Sequence, residues 1–200
     1  MDLNKLALFL GMLIGDGYIS NRKNGFGYPT YSINFYNTNQ KLVVLFAQLF
    51  YELFDEKGKI NSRKREGRKI IYDFCKHSKE IFDYVVYDIG IPFGKKASIV
   101  EVPDIIFNSN ELVKKYFLLG LFYTDGGVNK RGNVIFHMAS KELLLGVNVL
   151  FNDLWKINKE VKRVTQKNKY ISYQLNLNIA ESTEVLQNLP GSHNLVLHRP

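Results

Sequence analysis

The sequence predicts an α+β fold made of two similar halves, each a four-stranded antiparallel sheet packed on helices. The first observation behind this prediction is a repeat: LGMLIGDG at residues 10–17 returns as LGLFYTDG at residues 119–126. A spacing of 109 in a chain of 200 residues indicates two units of ordinary domain size. The second observation is that the order of predicted helices and strands repeats. The third is the alternation of apolar and polar side chains in a strand of the second half.

Apolar runs, capping residues and turn signals define the elements of the first half. An apolar run that ends at Gly-Asp-Gly predicts the opening helix, and the segment KNGFGYP joins two strands. Thr38 or Asn39 can cap the next helix, EGR turns between the second pair of strands, and Ser78 caps a helix that GIP ends. The predicted helices are 3–15, 40–54 and 79–88, and the predicted strands are 18–22, 30–36, 59–65 and 69–76.

The second half repeats this order. Ser109 or Asn110 caps its first helix and Ser140 its second, while RG and KN mark the strand turns. The predicted helices are 111–124, 141–156 and 181–189, and the predicted strands are 127–130, 133–138, 160–166 and 170–178. The chain is thus predicted to comprise a first αββαββα repeat (1–90), a linker (91–110), a second repeat (111–190) and a tail (191–200).

One strand shows which side of each sheet is buried. In the fourth strand of the second half, apolar and polar residues alternate: Tyr173, Leu175 and Leu177 against Ser172, Gln174, Asn176 and Asn178. A period of two with one polar face is typical of an antiparallel sheet that packs on helices on one side only. The open polar face suits hydrogen bonding to base edges, and a simple solvated sheet face is the alternative.

The net charge of +8 favours a polyanionic partner, and nucleic acid is the commonest polyanion. The excess of basic residues is five in residues 1–100 and three in residues 101–200, so both halves carry it. Cys75 is the only cysteine, which excludes an internal disulfide and a Cys/His zinc site. We therefore expect an intracellular, reducing compartment, without a distinction between prokaryotic cytoplasm and organelle matrix.

The apolar N-terminal run is predicted to be neither a signal peptide nor a membrane span. Its ten apolar residues are too few to cross a bilayer, and a similar run recurs at residues 116–124. We therefore expect no membrane partner. A membrane-surface protein that uses its basic hairpins remains a rival interpretation, but it leaves the paired acids unexplained.

Small residues lie one turn apart on both motif helices. Gly11 and Gly15 are spaced i, i+4, as are Gly120 and Thr124, so each pair shares one helix face. Glycine in a helix interior costs about 1 kcal/mol relative to alanine, and small residues allow another helix backbone to come close. The sequence therefore predicts that the halves meet along these two helices, around a pseudo-twofold axis.

The same arrangement brings Asp16 and Asp125 together at the C-terminal ends of the two helices. Backbone carbonyl groups also point outward there, and carboxylate and carbonyl oxygens suit a hard divalent cation. Two such sites related by a twofold axis would face the two strands of a duplex. The arrangement therefore predicts phosphodiester hydrolysis by metal-activated water. A single Asp-Gly pair would be an ordinary helix stop, and the repetition favours the metal site.

The segments FLGMLIGDG (9–17) and LLGLFYTDG (118–126) resemble the two signature motifs of the LAGLIDADG homing endonuclease family, in its single-chain, two-repeat form. The linker segment VPDIIF is also similar to that family. The resemblance implies a saddle of two sheets on the DNA major groove. It also implies Mg²⁺-dependent cleavage of both strands of a long pseudo-palindromic site, with two or three divalent ions near the paired acids.

Carried onto this sequence, the resemblance assigns Asp16 and Asp125 as catalytic metal ligands and the carbonyl groups of Gly15 and Thr124 as further ligands. It also implies a catalytic role for Tyr36 near the end of the second strand and for Lys76 near the end of the fourth. In the second half their counterparts are Met138, which cannot organise water, and Leu177. We expect the neighbouring His137 to face the core.

Basic and polar residues of the strands and hairpins are the predicted DNA contacts. The stretch 57–69 holds seven basic residues and one acid, and its alternative interpretation is a solvated hairpin. The full predicted set is Tyr18, Ser20, Arg22, Lys23, Ser32, Asn34, Arg63, Arg65, Arg68, Lys69, Lys130, Arg131, Lys162, Arg163, Gln166, Lys167, Tyr170, Ser172, Gln174 and Asn176.

The function predicted from the sequence is site-specific cleavage of double-stranded DNA by a monomer that needs no protein partner. The alternative is a binding module of the same fold, either an intron RNA maturase or a DNA-binding protein that does not cut. The presence of both acids favours cleavage.

Overall fold

The computed structural model describes residues 1–64, 66–165 and 171–191. The first half runs α1 (Leu3–Asp16), β1 (Gly17–Lys23), β2 (Pro29–Asn37), α2 (Gln40–Phe54), β3 (Lys59–Arg63), β4 (Ile71–His77) and α3 (Lys79–Asp83), which continues as a π-helical turn (Tyr84–Asp88). The second half runs α5 (Glu111–Asp125), β5 (Gly126–Val128), β6 (Val134–Met138), α6 (Lys141–Trp155), β7 (Lys162–Thr165), β8 (Ile171–Asn176) and α7 (Ile179–Asn188).

These elements confirm the predicted α+β fold. Each half has one four-stranded antiparallel sheet, with strand order β1-β2-β4-β3 in the first and β5-β6-β8-β7 in the second. Asn39, Ser78, Asn110 and Ser140 cap their helices through side-chain oxygens, as the sequence indicates. The tail 192–200, Arg65 and residues 166–170 lie outside the described part of the chain.

The linker is more structured than the sequence suggests. It contains a 3₁₀ turn (Lys96–Ser98) and a short helix, α4 (Asp104–Phe107). Val100 and Val102 are buried in the core, and the carbonyl of Val100 accepts a hydrogen bond of 2.7 Å from the Ser140 hydroxyl. At its other end the Gly94 N–H donates to the Ile19 carbonyl of β1 at 2.8 Å, so the linker packs against both halves.

One continuous apolar core runs through both halves, with α1 and α5 at its centre. On one side of the first sheet, Ile33 and Phe35 are fully buried, and the Phe35 ring stacks on Phe46 of α2 with 4.4 Å between centroids. In the second half Phe136 packs edge-on against Phe151 of α6, with 5.8 Å between centroids. The helices therefore cover one side of each sheet and leave the other side open. Among the described helices, none is both long and apolar enough to cross a membrane.

Candidate active site and nucleic-acid interface

Helices α1 and α5 touch at their glycines. A Cβ atom placed on Gly11 would lie 2.9 Å from the Leu121 nitrogen and 3.0 Å from the Gly120 Cα. A Cβ on Gly120 would lie 2.9 Å from the Met12 nitrogen and 3.0 Å from the Gly11 Cα. The two backbones are thus too close for any larger side chain, and the contact is the same in both directions.

The second pair of small residues lies one turn further on. Gly15 abuts the Thr124 side chain, and a Cβ on Gly15 would lie 2.5 Å from the Thr124 Cβ and 2.6 Å from Asp125 Oδ2. The Thr124 hydroxyl donates back into its own helix, 3.1 Å from the Leu121 carbonyl oxygen. The structure therefore places all four predicted interface residues at the contact and brings the Asp125 carboxylate against the end of α1.

Asp16 and Asp125 are the last residues of α1 and α5, and they interact electrostatically. Burial raises the pKa of Asp125 to about 7, and the neighbouring Asp16 charge contributes to the increase. Burial also raises the pKa of Asp16, although a hydrogen bond from Asn37 opposes the shift. Two carboxylates that are desolvated and close together are each costly to ionise, so this part of the molecule favours a cation.

Lys96, in the 3₁₀ turn of the linker, is a component of this site that the sequence analysis missed. Its side chain is 4% exposed, and its Nζ donates a hydrogen bond to the Ile14 carbonyl at the end of α1. Burial lowers the pKa of Lys96 to about 8, against the opposing effect of Asp125 and Asp16. The ammonium group is therefore the built-in cation beside the acid pair. A lysine that follows Gly94 and Lys95 in the linker gives no sequence signal of burial.

Asn37 is the second component that the sequence analysis missed. Its Nδ2 donates to Asp16 Oδ2 at 2.6 Å, and its Oδ1 accepts from the Asn39 backbone N–H at 2.7 Å. In the second half the strand register pairs Gly126 with Phe136 as it pairs Gly17 with Phe35. Met138 therefore takes the place of Asn37 and not, as the sequence suggested, that of Tyr36, whose counterpart is His137. Met138 is buried and cannot donate to Asp125. The two acids therefore have unequal surroundings.

Tyr36 lies beside Asn37 on the opposite face of β2. Together with Asp16, Asn37, Thr38 and Ile71 it borders an open cleft of about 280 Å³ at the end of the first sheet. The Arg63 guanidinium lies 5.4 Å from the centroid of its ring. Burial raises the pKa of the Tyr36 phenol, with a smaller contribution from Asp73. Tyr36 thus lies next to the acid site, and its catalytic role stays a prediction.

Two further expectations need correction. Lys76 pairs with Ile33 across the sheet, four residues along β2 from Asn37, and its Nζ lies 2.5 Å from Glu56. This position along the strand, together with the ion pair, argues against a role for Lys76 at the acid site. His137 was expected to face the core, but it is exposed on the open side, and its Nε2 lies 2.7 Å from the Ser172 hydroxyl. For His137 the two-residue period of the strand, counted from the buried Phe136, decides the side.

The acid pair suits a hard divalent cation. Within the described residues, no group of three or more His, Cys, Asp or Glu side chains could hold a metal ion. Asp16 and Asp125 would therefore need backbone, water or substrate oxygens to complete a coordination shell. Lys96 occupies the Ile14 carbonyl. The carbonyl groups of Gly15 and Thr124 lie in the last turns of their helices, where carbonyls have no intrahelical donor.

The predicted DNA contacts fall into three groups by exposure. Those exposed on strands and hairpins are Arg22, Lys23, Arg63, Arg68, Lys69, Lys130, Arg131, Lys162, Arg163 and Asn176, whereas Tyr18 and Gln174 are half-buried. Those buried in the middle of the open faces are Ser20, Ser32, Asn34 and Ser172. Arg65, Gln166, Lys167 and Tyr170 lie outside the described residues.

The buried polar group is bonded internally. The Ser20 and Ser32 hydroxyls lie 2.8 Å apart, and Asn34 Nδ2 donates to Ser32 Oγ at 2.9 Å and to the Tyr18 carbonyl at 3.1 Å. These side chains link β1 to β2 in the free protein. The exposed basic residues around them are therefore better placed to contact a ligand directly.

Residues 112–188 match the family described as a LAGLIDADG-like domain. Among curated proteins, the chain is 32% identical over 173 residues to the replication factor C small subunit of Methanocaldococcus jannaschii. It is 29% identical over 151 residues to a DNA polymerase of Thermococcus sp. strain GE8. The alignments cover 84% and 74% of this chain, respectively, but only 9% and 8% of the two relatives. The chain thus spans less than a tenth of the length of these relatives. The similarity is confined to one segment within each of two much longer proteins.

The fold is found in solved structures over nearly the whole chain. The structure of I-DmoI in complex with DNA and Mn superposes with a TM-score of 0.69 at 21% identity, over 96% of this chain and 99% of that one. The homing endonuclease I-WcaI bound to its DNA recognition sequence gives a TM-score of 0.61 at 20% identity, over 94% of this chain and 80% of that one. At these identities the likeness establishes the two-repeat fold.

Proposed function

Because the chain is a two-repeat protein of the LAGLIDADG family, we propose that it is a site-specific endonuclease that cuts both strands of double-stranded DNA. The observation that carries the proposal is the Asp16–Asp125 pair, held together by the Gly11–Gly120 contact between two open, basic sheets. Solved relatives of the same fold are complexes with DNA and a divalent metal. We further propose that the chain acts as a monomer on a long, pseudo-palindromic site.

The chain's own residues divide the work. Asp16 and Asp125 would hold divalent ions, for which we propose Mg²⁺, together with the carbonyl oxygens of Gly15 and Thr124 and with scissile phosphate oxygens. Bound there, the metal would supply an activated water and stabilise the charge that develops on the phosphate. Lys96 offsets part of the negative charge of the two carboxylates before the metal and the substrate arrive. Asn37 fixes the orientation of the Asp16 carboxylate through its 2.6 Å hydrogen bond.

The exposed basic residues provide affinity. Arg22 and Arg63 lie on the first sheet, and Lys162 and Arg163 on the second, all of them exposed. Each phosphate that such a residue neutralises should contribute about −0.9 to the slope of log K against log salt. Binding should therefore be strongly salt-dependent, and sequence preference should come from those side chains that reach base edges.

The direct test is cleavage of a randomised double-stranded DNA library by the purified chain, with Mg²⁺ and separately with EDTA. The proposal predicts metal-dependent double-strand cuts within one long motif. Binding of DNA without any cutting would contradict the nuclease proposal and would move the function to a DNA-binding protein of this fold. Preferential binding of structured intron RNA over duplex DNA would instead point to a maturase.

A further inference from the structure

The tip of the β1–β2 hairpin exposes two aromatic side chains. Phe26 is 88% exposed, more than any other large apolar residue in the described part of the chain, and Tyr28 is 69% exposed. A single exposed aromatic residue needs no explanation, because protein surfaces contain many. Two of them on either side of Gly27, on a hairpin that carries the exposed cations Arg22 and Lys23, form a more specific feature.

The tip is held in one shape by its own hydrogen bonds. The Asn24 side-chain oxygen accepts from the backbone N–H groups of Phe26 at 2.9 Å and of Tyr28 at 3.0 Å. The backbone closes the turn with Asn24 N–H donating to the Tyr28 carbonyl and Gly27 N–H donating to the Asn24 carbonyl. Gly27 has φ +84°, a left-handed conformation that glycine adopts without strain. The aromatic pair is thus ordered before any partner binds, which lowers the entropic cost of binding.

The corresponding hairpin of the second half has the same turn with different side chains. The Asn129 side-chain oxygen accepts from Arg131 N–H at 2.9 Å and from Asn133 N–H at 3.1 Å, and Gly132 has φ +88°. The two backbone bonds that close the turn are also repeated. By this correspondence Arg131 takes the place of Phe26, and Asn133 that of Tyr28. The same hydrogen-bonded turn therefore presents an aromatic tip in the first half and a cationic tip in the second.

The two tips also differ in reach. Asn24 lies eight residues after Asp16, whereas Asn129 lies four residues after Asp125. The return strands differ by the same four residues, counted from Tyr28 to Phe35 and from Asn133 to Phe136. At about 3.3 Å per residue the aromatic tip extends roughly 13 Å further from the acid pair. That length corresponds to about four base pairs of duplex at 3.4 Å per pair.

We propose that Phe26 and Tyr28 form an aromatic wedge that inserts against a base step in the outer part of one half-site and locally unstacks it. This inference rests on the proposed function, because the hairpin continues the open basic face assigned to DNA. Duplex DNA is the occupant that matches both features of the tip: phosphates for Arg22 and Lys23, and base faces for the rings. Because unstacking is easiest at pyrimidine–purine steps, the wedge selects such a step without reading base edges.

The second tip, with Lys130 and Arg131 in place of Gly25 and Phe26, contacts phosphates or guanine edges without insertion. The proposal therefore assigns the two ends of the DNA site different recognition chemistry. One end is recognised by deformability and the other by charge and direct contact, although both are held by the same turn.

The test uses DNA sites selected by binding in EDTA, so that it does not depend on cleavage. 2-Aminopurine is placed singly across the outer positions of the selected duplex, and its fluorescence is read with and without the chain. The wild-type protein should raise the fluorescence several-fold at one outer step. The double variant Phe26→Ala/Tyr28→Ala should abolish that increase and weaken binding about tenfold or more. Phe26→Trp should retain the signal.

Two controls separate the wedge from general effects. Tyr87→Ala removes a 68% exposed aromatic residue from the helix layer and should change neither the fluorescence increase nor the binding affinity. Arg131→Ala should weaken binding and reduce the salt slope by about one, while the fluorescence increase remains. An unchanged fluorescence increase in Phe26→Ala/Tyr28→Ala, with wild-type affinity, would overturn the wedge alone. Failure of the wild-type chain to bind any duplex would overturn both the wedge and the proposed function.

Discussion

Gly11 and Gly120 contact each other reciprocally: a Cβ on either residue would lie 3.0 Å from the Cα of the other. Backbone atoms form the rest of each contact, so the neighbours cannot move aside as a flexible side chain would. This reciprocal contact fixes the distance between the two halves. It thereby fixes the separation of Asp16 and Asp125, which end the same two helices.

Gly11→Ala and Gly120→Ala should each destabilise the protein. The extra methyl group must push the helices apart, and this strain should outweigh the gain in helix propensity, for a net loss of about 2 kcal/mol in the free energy of unfolding. Urea denaturation measures the loss. Gly25→Ala is the matched control, because nothing lies within 4 Å of its would-be Cβ. Equal stability of all three variants would contradict the proposed role of the helix contact.

The stability of the metal-free protein should fall as the pH rises towards 7 because of Asp125. Its pKa is raised from 3.8 to about 7 in the folded state, so between these values the folded state holds a proton that the unfolded state releases. Folding is therefore favoured below this window and loses that contribution as the pH rises through it.

The comparison of wild type with Asp125→Asn in EDTA isolates this effect. The neutral amide should raise Tm relative to wild type at pH 8 and much less at pH 5, with a difference between the two pH values of roughly 5 °C. The exposed Asp88→Asn variant serves as control. A Tm difference between wild type and Asp125→Asn that is independent of pH would refute the assigned ionisation.

Lys96 should set the pH range of activity. Its charge lowers the pKa of Asp125, so Lys96→Met should raise that pKa further and move the acidic limb of the pH–rate profile up by about one pH unit. At high pH, where Asp125 is ionised, the Lys96→Met variant should regain part of the cleavage rate that it loses at lower pH. The variant Lys95→Met removes the neighbouring, exposed positive charge and is the control for a general loss of charge. Superposable profiles for Lys96→Met and wild type would exclude this role.

Asn37 should affect the cutting of one DNA strand more than the other. It donates to Asp16, whereas Met138 at the corresponding position cannot donate to Asp125. Asn37→Ala should therefore slow the strand cut that depends on Asp16, and nicked DNA should accumulate. End-labelling both strands in one reaction provides an internal control, since the second strand reports any general loss of folding or binding. Equal slowing of both strands would argue against a local effect at Asp16.

The sequence predicted the fold and the acid pair because both depend on repeated local patterns. Small residues at i, i+4 in two helices predict a close contact wherever the helices meet, and the structure places Gly11 and Gly120 there. Lys96 was missed because burial of a linker lysine depends on how the linker packs against the end of α1, which no local pattern encodes.

The strand ends were harder to predict because a shift of one residue moves a side chain to the other face of the sheet. The sequence points to Tyr36, whereas the neighbouring Asn37 contacts Asp16. The sequence also places Lys76 near the acids, but the register sets it four residues along the sheet from Asn37, where it pairs with Glu56. The fold and the helix bounds could therefore be predicted from the sequence. Identifying the side chains that surround the two acids required the strand register, which only the structure provides.

The central claim is that Asp16 and Asp125 act as a pair, and cleavage of a supercoiled plasmid bearing a selected site tests it most directly. Wild type, Asp16→Asn and Asp125→Asn are compared in Mg²⁺, with binding to the same site measured in parallel. The account predicts that both variants bind with near wild-type affinity and produce no linear DNA. Linear DNA from either variant at the wild-type rate would contradict it.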